Sequence, residues 1–596
     1  QIVGVHEHDA RAERTQAHVD LMLLAGIIRL RRIALFKQYV GSLFKPHLGI
    51  TVSGNDLSGN TGDALTNASS GTINASGNWW GSNTSTGVAA EIAGANASAV
   101  DFTPYLNSGT DTVSGTIGFQ GDFSSVTVHT LGNQTGGSGR IQEGIDLSTG
   151  TSTVNVAAGT YNETVTINKN NLTLTGDPGA TGATSNDAGP GSSAPVLDGT
   201  GLGNTSAIFL GAVSNVTIAG FEIANYDNGA PGPGGTGGVG SGIQSFDVAT
   251  NNITVRDNYF HDLGWNGVLV ASDNGTLQNN WAVIRNNIAE VLYAGIELTN
   301  ATNSTVQYNT ISARVTNNAG QQTDPGDSGV GIEIATRDQA GIGVTSGNTL
   351  VDSNVITGVL FERAGINLLS RAYAGTSNAV LENVTVSNNT VSGSTGRGGI
   401  VVVAEERNSA TNASFTNLAI NSNTLTGNTT GLSIGILGAP YDNATGVDGS
   451  YGTPSVSGNT LTTNTTGVQI VGGNALVSQS TITGGTTGIN ASGGTATVQN
   501  SFMSRSNTVT ATAVPTRTRP PAENIPTRSA HRSRPMDACS PVRTKKVPMM
   551  DETMPMAATS RGNRKRLSSK GALGSAPPAK TTAAAARAMV AMMEPT

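Results

Sequence analysis

Cysteine, charge and aromatic rings are all scarce in this 596-residue chain, and each shortage removes a class of protein. The single cysteine, Cys539, rules out a disulfide framework within one chain. Charged residues make up 12%, against roughly 25% in ordinary soluble domains. Aromatics stand at 4% beside 78 glycines, the profile of a Gly/Asn/Ser/Thr-rich β protein. Long apolar runs are missing too. The best candidate, Leu21–Ile28, is too short to span a bilayer, and its acidic residues before and arginines after are the wrong flanks for a signal peptide. Nothing in the chain has helical periodicity over a useful length.

What the chain has instead is a phrase, apolar-x-x-Asn-x-apolar, answered ten to twenty residues later by Gly-apolar-x-apolar. Copies include Val255/Asn258/Phe260, Val283/Asn286/Ile288, Val306/Asn309/Ile311, Val351/Asn354/Ile356, Val386/Asn389/Val391, Ile420/Asn423/Leu425 and Val456/Asn459/Leu461. Two more put Ser in place of Asn, at Ser480 and Ser501. The answering glycines are Gly267, Gly295, Gly331, Gly365, Gly399, Gly431, Gly467 and Gly488. Side chains alternate along a strand, so two apolar residues five apart point the same way only if one bend breaks the parity. Asn, which tolerates the left-handed region, is read as that bend. Short strands alternating with such bends wind into a coil whose turns pair in parallel, with the Asn amides stacking as a ladder. A bare turn is twenty-one residues, from Val456 to Val477 and on to Val498. A β-sandwich would alternate for longer and would not hold the Asn at a fixed offset.

Charge divides the chain. Residues 1–47 carry seven Lys/Arg and four Asp/Glu, 504–596 carry sixteen and five, and 48–503 carry ten and thirty-one, a net of −21. An acidic repeat surface argues against nucleic acid as its ligand and suits a secreted or cell-surface protein of bacterial type. The expected organisation is a disordered or non-native segment 1–47, the end of a first coil at 48–107, a linker at 108–137, the main coil at 138–503, and a basic Pro/Arg/Met/Ala-rich segment 504–596 that is disordered or out of frame. The phrase stops at Met503, as a truncated coil would, and open coil ends would invite self-association. In the first coil, Trp79 and Trp80 are read as a bulky plug over its last turn.

The main coil opens with Ile141-Gln142-x-x-Ile145-Asp146, Val156-Ala157-Ala158-Gly159-Thr160-Tyr161-x-Glu163 and Leu172-Thr173-Leu174-Thr175-Gly176. These motifs resemble the opening of right-handed parallel β-helix proteins of the pectin-lyase-like superfamily. Asn78-Trp79-Trp80-Gly81 with Asp101-Phe102-Thr103-Pro104-Tyr105 is similar to the close of such modules in large bacterial surface proteins. The resemblance, over about 50–503, implies an all-β fold, a right-handed single-stranded parallel β-helix. It does not choose an activity, since this superfold carries enzymes, tailspikes and adhesins. Polygalacturonases imply an Asp-Asp pair, Gly-His-Gly and Arg-x-Lys, none of which occurs in 48–503. Pectin methylesterase motifs have no match in 200–503, and a pectate-lyase base would have to be Arg, because Lys169 is the only lysine of the repeats.

Aligning the copies on their glycines gives columns. Two residues before stand Trp265, Tyr293, Gly329, Arg363 and Arg397; two after stand Leu269, Glu297, Glu333, Asn367 and Val401. All eight arginines after Lys169 in the repeats fall between 256 and 407. Glu297 and Glu333, one strand apart, are the candidate catalytic pair, since carboxylates about 5–5.5 Å apart suit acid/base chemistry at a glycosidic bond. Trp265, Tyr293, His261, Asp262, Arg363 and Arg397 are the candidate substrate-binding residues, with Asn228–Gly242 as a wall. A solvated, idle outer face is the competing reading of the same residues. No metal site and no cofactor are expected, Ca2+ being the single candidate; Asp324 and Asp327 read as turn formers. Two functions stand open: a scaffold, adhesion or glycan-binding module without catalytic motif, and a polysaccharide lyase or hydrolase using rungs 256–407.

Overall fold

The computed structural model describes residues 49–176, 194–226, 240–312, 329–358, 364–373, 377–407, 410, 412–435, 449–504 and 508–511, the last four by their backbone alone. The segment 1–47 and nearly all of 504–596 lie outside the described residues, as do Asp324 and Asp327. The chain is an all-β, right-handed parallel β-helix. Each rung lays down a leading, a middle and a trailing strand, which stack on their equivalents as three long parallel sheets; among the described residues the middle and trailing sheets each have twelve strands.

The repeated phrase maps onto these faces residue by residue. In one rung Val386 belongs to the leading strand Thr385–Ser387, Asn389 fills the bend, Val391 lies in the middle strand Thr390–Ser392, and Ile400 and Val402 lie in the trailing strand Gly398–Glu406. All four apolar side chains are buried and face the coil axis. The answering glycine is required by close stacking: a Cβ on Gly295 would stand 2.7 Å from the carbonyl oxygen of Gly331 in the next rung.

The bend departs from expectation in one respect. The left-handed residue is the one before each Asn: Asp257, Arg285, Tyr308, Ser353, Asn388 and Ser422 have φ between 55° and 58°. The Asn itself turns inward. Asn389 donates through Nδ2 to the Val351 carbonyl at 2.9 Å and to Asn423 Oδ1 at 3.0 Å, while its own Oδ1 accepts the backbone N–H and the amide of Asn354. This ladder runs from Asn258 through Asn286, Asn309, Asn354, Asn389 and Asn423 to Asn459, then continues through the hydroxyls of Ser480 and Ser501. The two jobs are separate because a left-handed residue needs only an outward side chain, whereas the ladder needs an amide aimed at buried backbone groups that have no other partner.

At the start of the main coil the helix Arg140–Leu147 buries Ile141 and Ile145 in the core. Its free N–H groups at Ile141 and Gln142 bond the Glu163 carboxylate at 3.0 and 3.1 Å, a negative charge where the helix dipole favours one. The stretch 108–137, read above as linker, contributes the strand Ser125–Val128, which pairs antiparallel with Tyr105–Leu106 and parallel with Ser152–Val156. In the first coil Trp80 is buried against Phe102, ring edge to face at 6.5 Å. Beyond Met503, Thr508–Ala511 still pairs with Thr487–Ala491, so a trailing strand follows the last copy of the phrase.

Candidate functional site

The trailing face is ordinary except between residues 330 and 406, where three successive strands lengthen to nine residues: Val330–Asp338, Ala364–Ala372 and Gly398–Glu406. Alternation sends Ile332 and Ile334 inward and Glu333, Ala335 and Arg337 outward. The outward columns run Leu269, Glu297, Glu333, Asn367 and Val401 in register, then Thr299, Ala335, Leu369 and Val403, then Arg337, Arg371 and Glu405.

Glu297 and Glu333 are register partners, and neither is open to solvent: their exposures are 2% and 0%. Arg337 lies between them, with one terminal nitrogen 3.1 Å from Glu297 Oε1 and the other bonded to Glu333 Oε1. The remaining oxygens are taken as well. Asn266 donates to Glu297 Oε2 at 2.9 Å, Thr299 to Glu297 Oε1 at 3.0 Å, and Asn367 to Glu333 Oε2 at 2.9 Å. Burial raises the Glu297 pKa against the pull of Arg337, and Glu333 raises it further. For Arg337 burial acts the other way, yet the two carboxylates hold its pKa well above the ordinary value. A carboxylate pair expected on an open groove is thus a buried Glu–Arg–Glu tie across neighbouring rungs.

A second group follows on the same columns. Glu405 accepts from Arg371 Nε at 2.5 Å and from Arg407 Nε at 2.6 Å, and both guanidinium groups lie near the ring of Tyr373, at 5.8 and 5.4 Å from its centroid. Tyr373 and Arg407 are half-buried. Ala335, Ala364, Leu369, Val401 and Val403 form a small buried apolar cluster beside these charged groups.

Of the residues picked out by column, Trp265 and Tyr293 are brought together, their rings stacked at 4.7 Å and 1° from parallel, with Trp265 half-buried and Tyr293 7% exposed. They stack on each other and so do not present two free planes. His261 and Asp262 belong to a different place. The middle strand Tyr259–His261 carries the imidazole, whose Nδ1 is 2.8 Å from Asp262 and whose Nε2 is 3.1 Å from Glu222, with the ring stacked on Tyr259 at 4.5 Å. Arg397 is half-buried just before the strand Gly398–Glu406. Arg363 lies outside the described residues, as does 228–239 of the expected wall. Arg337, Arg371, Tyr373, Glu405 and Arg407 lie beyond the aligned columns, which end two residues after each glycine, and Asn266, one residue before its glycine, falls between them. Strand alternation carried four residues further would have placed Arg337 beside Glu333. Among the described residues no group of three or more His, Cys, Asp or Glu side chains is placed to hold a metal ion.

Fold and face together define a parallel β-helix repeat protein, the architecture that the opening motifs resemble. No family model matches the chain, and no curated protein does. Among solved structures it is similar to a hyperthermoactive exopolygalacturonase from Thermotoga maritima, at 13% identity and a TM-score of 0.42, covering 59% of this chain and 84% of that one. It is also similar to the tailspike protein of an E. coli bacteriophage in complex with a pentasaccharide, at 14% identity and a TM-score of 0.41, covering 62% of each chain. A mannuronan C-5 epimerase A-module from Azotobacter vinelandii aligns at 14% identity and a TM-score of 0.33, over 62% of this chain and 95% of that one.

Proposed function

We propose that this chain is a non-catalytic β-helix module of a secreted or cell-surface protein, binding glycan along the rim of its trailing face between rungs 256 and 407. The observation that carries the reading is the state of the two acids: each carboxylate is buried and committed to Arg337 and to a side-chain amide, so neither is poised to exchange a proton with a sugar oxygen. What remains at the rim suits adhesion to a saccharide, namely the half-buried Trp265 plane on its Tyr293 support and the half-buried Tyr373 flanked by Arg371 and Arg407. The acidic surface of 48–503 fits an extracellular setting.

The test is a panel of neutral and uronate oligosaccharides titrated calorimetrically into the whole chain, with product analysis after long incubation with and without calcium. Binding that weakens at least about tenfold in Trp265→Ala, with no new reducing ends and no unsaturated sugars, is the expected result. Products that disappear in Glu297→Gln would replace this reading with the lyase or hydrolase alternative.

A further inference from the structure

The middle face changes character along the coil. Its early strands carry a mixture outward, with Asp198, Glu222, Tyr259, His261 and Asn287. From Thr310 onward six consecutive rungs present the same short sentence: Thr310-Ile311-Ser312, Val355-Ile356-Thr357, Thr390-Val391-Ser392, Thr424-Leu425-Thr426, Thr460-Leu461-Thr462 and Thr481-Ile482-Thr483. The central residue of each is buried and the flanking two point out. Eleven of the twelve outward positions bear a hydroxyl, nine of them threonine. The exception, Val355, has the branched outline of threonine and is 42% exposed.

Register turns these positions into a two-dimensional lattice. Thr310, Val355, Thr390, Thr424, Thr460 and Thr481 are successive Cα partners, and so are Ser312, Thr357, Ser392, Thr426, Thr462 and Thr483. The columns repeat every 4.8 Å or so along the axis and stand about 6.6 Å apart across it, over a length of about 24 Å. Branching at Cβ restricts each threonine to few rotamers, so hydroxyls and methyls repeat with the backbone instead of averaging out. Glycines at Gly358, Gly393, Gly427 and Gly484, with φ between 64° and 71°, follow the second column in four of the six rungs and put no side chain beside it. No charged residue belongs to the lattice.

A second observation separates this face from the other polar columns. Exposed asparagines elsewhere bond one another from rung to rung, as in Asn171–Asn215–Asn252–Asn280, and on the leading face Ser387 is bonded to Asp352. Among the described residues, none of the eleven lattice hydroxyls is bonded to another protein side chain or carbonyl, so all face solvent with their hydrogen-bonding capacity intact. A scaffold would be served equally well by any mixture of polar side chains here, as the early rungs demonstrate.

We propose that this face binds ice. The two repeats of the lattice lie within roughly a tenth of the oxygen repeats of a prism plane of hexagonal ice, so hydroxyls can substitute for lattice oxygens while methyls sit in the hollows between them. Water held over so regular and uncharged a surface is already ordered in the pattern of its solid, which lowers the cost of joining a crystal. The inference is independent of glycan binding on the trailing face.

The experiment uses the whole chain, fluorescently labelled. A seeded ice hemisphere is grown slowly in its solution, the fraction taken into the ice is measured, and the gap between melting and growth temperatures is read in a nanolitre osmometer. The expected result is incorporation well above that of a non-binding protein, faceted crystals, and a growth gap reduced about fivefold or more by Thr424→Tyr with Thr426→Tyr at the centre of the lattice. The same pair on the leading face, Ser455→Tyr with Ser457→Tyr, should leave the gap unchanged. If the central pair melts early by circular dichroism, Thr460→Tyr reads the neighbouring rung. Exclusion of the wild-type chain from ice, or equal growth gaps in wild type and the central variant, overturns the proposal. So does binding to crystalline cellulose or chitin through the same threonines without uptake into ice, which would assign the face to a glycan.

Discussion

Replacing Arg337 with methionine would remove the guanidinium that Glu297 and Glu333 share while keeping most of the side-chain volume. Two buried carboxylates one strand apart, about 5 Å, repel by roughly 3 kcal/mol at an effective dielectric constant of about 20. Breaking a buried ion pair on one side costs about 3–5 kcal/mol in proteins generally, so both routes give a loss of that size at neutral pH. Urea unfolding followed by the fluorescence of Trp281, which is fully buried in the coil, measures it. The pH dependence carries the sharper test. Burial and Glu333 already hold the Glu297 pKa above its ordinary 4.5, and losing Arg337 removes the main influence that lowers it. An acid with a raised folded-state pKa binds its proton more tightly when folded, so the deficit of Arg337→Met should shrink as pH falls from 7 towards 5. Adding Glu297→Gln and Glu333→Gln to the variant should restore most of the stability at pH 7, because an uncharged set has no unpaired ion. An unchanged urea midpoint at pH 7, or a deficit that deepens on acidification, would refute the tie.

Two further outcomes test the coil at other points. His129 is buried against Phe102 and Tyr105, and burial, aided by Arg140, lowers its pKa from 6.5 to about 3. The unfolded chain takes up a proton below pH 6.5 that the folded chain refuses until about 3, so stability is fully present above 6.5 and falls through that window, by about 2 kcal/mol at pH 5. His129→Phe should flatten the slope of melting temperature between pH 7 and 5, although it gives up the bond from the Leu131 N–H. In the ladder, Asn389→Leu strands the Val351 carbonyl and the donors of Asn354, an expected loss of about 3 kcal/mol or more by urea unfolding. The corresponding change at the exposed, left-handed Asn388 to Gly gives up only a surface bond from its amide to Asp352 and should cost about 1 kcal/mol or less.

The fold was legible because its cause is local and repeated. Val386, Asn389, Val391, Gly399, Ile400 and Val402 each have a role that recurs every rung, so one copy explains the next. Register was legible for the same reason, and Glu297 and Glu333 do face each other across one strand interval. The bend was half legible: left-handed backbone was anticipated at the Asn, but it falls one residue earlier, because the amide is needed inside. Accessibility was legible only in part. Alternation puts Thr299 on the face of Glu297 and Arg337 on the face of Glu333, but nothing in the strand of Glu297 announces that Asn266 and Arg337, from neighbouring rungs, will enclose it.

By itself, then, the sequence determined the periodic part of this protein: the coil, its inward residues and its columns, all consequences of strand alternation and a constant rung. Only the tertiary structure decided which outward residues are free. Whether a carboxylate on an outer face meets solvent or a guanidinium depends on the side chains of neighbouring rungs and on strands lengthened to nine residues, and these break the repeat instead of following it.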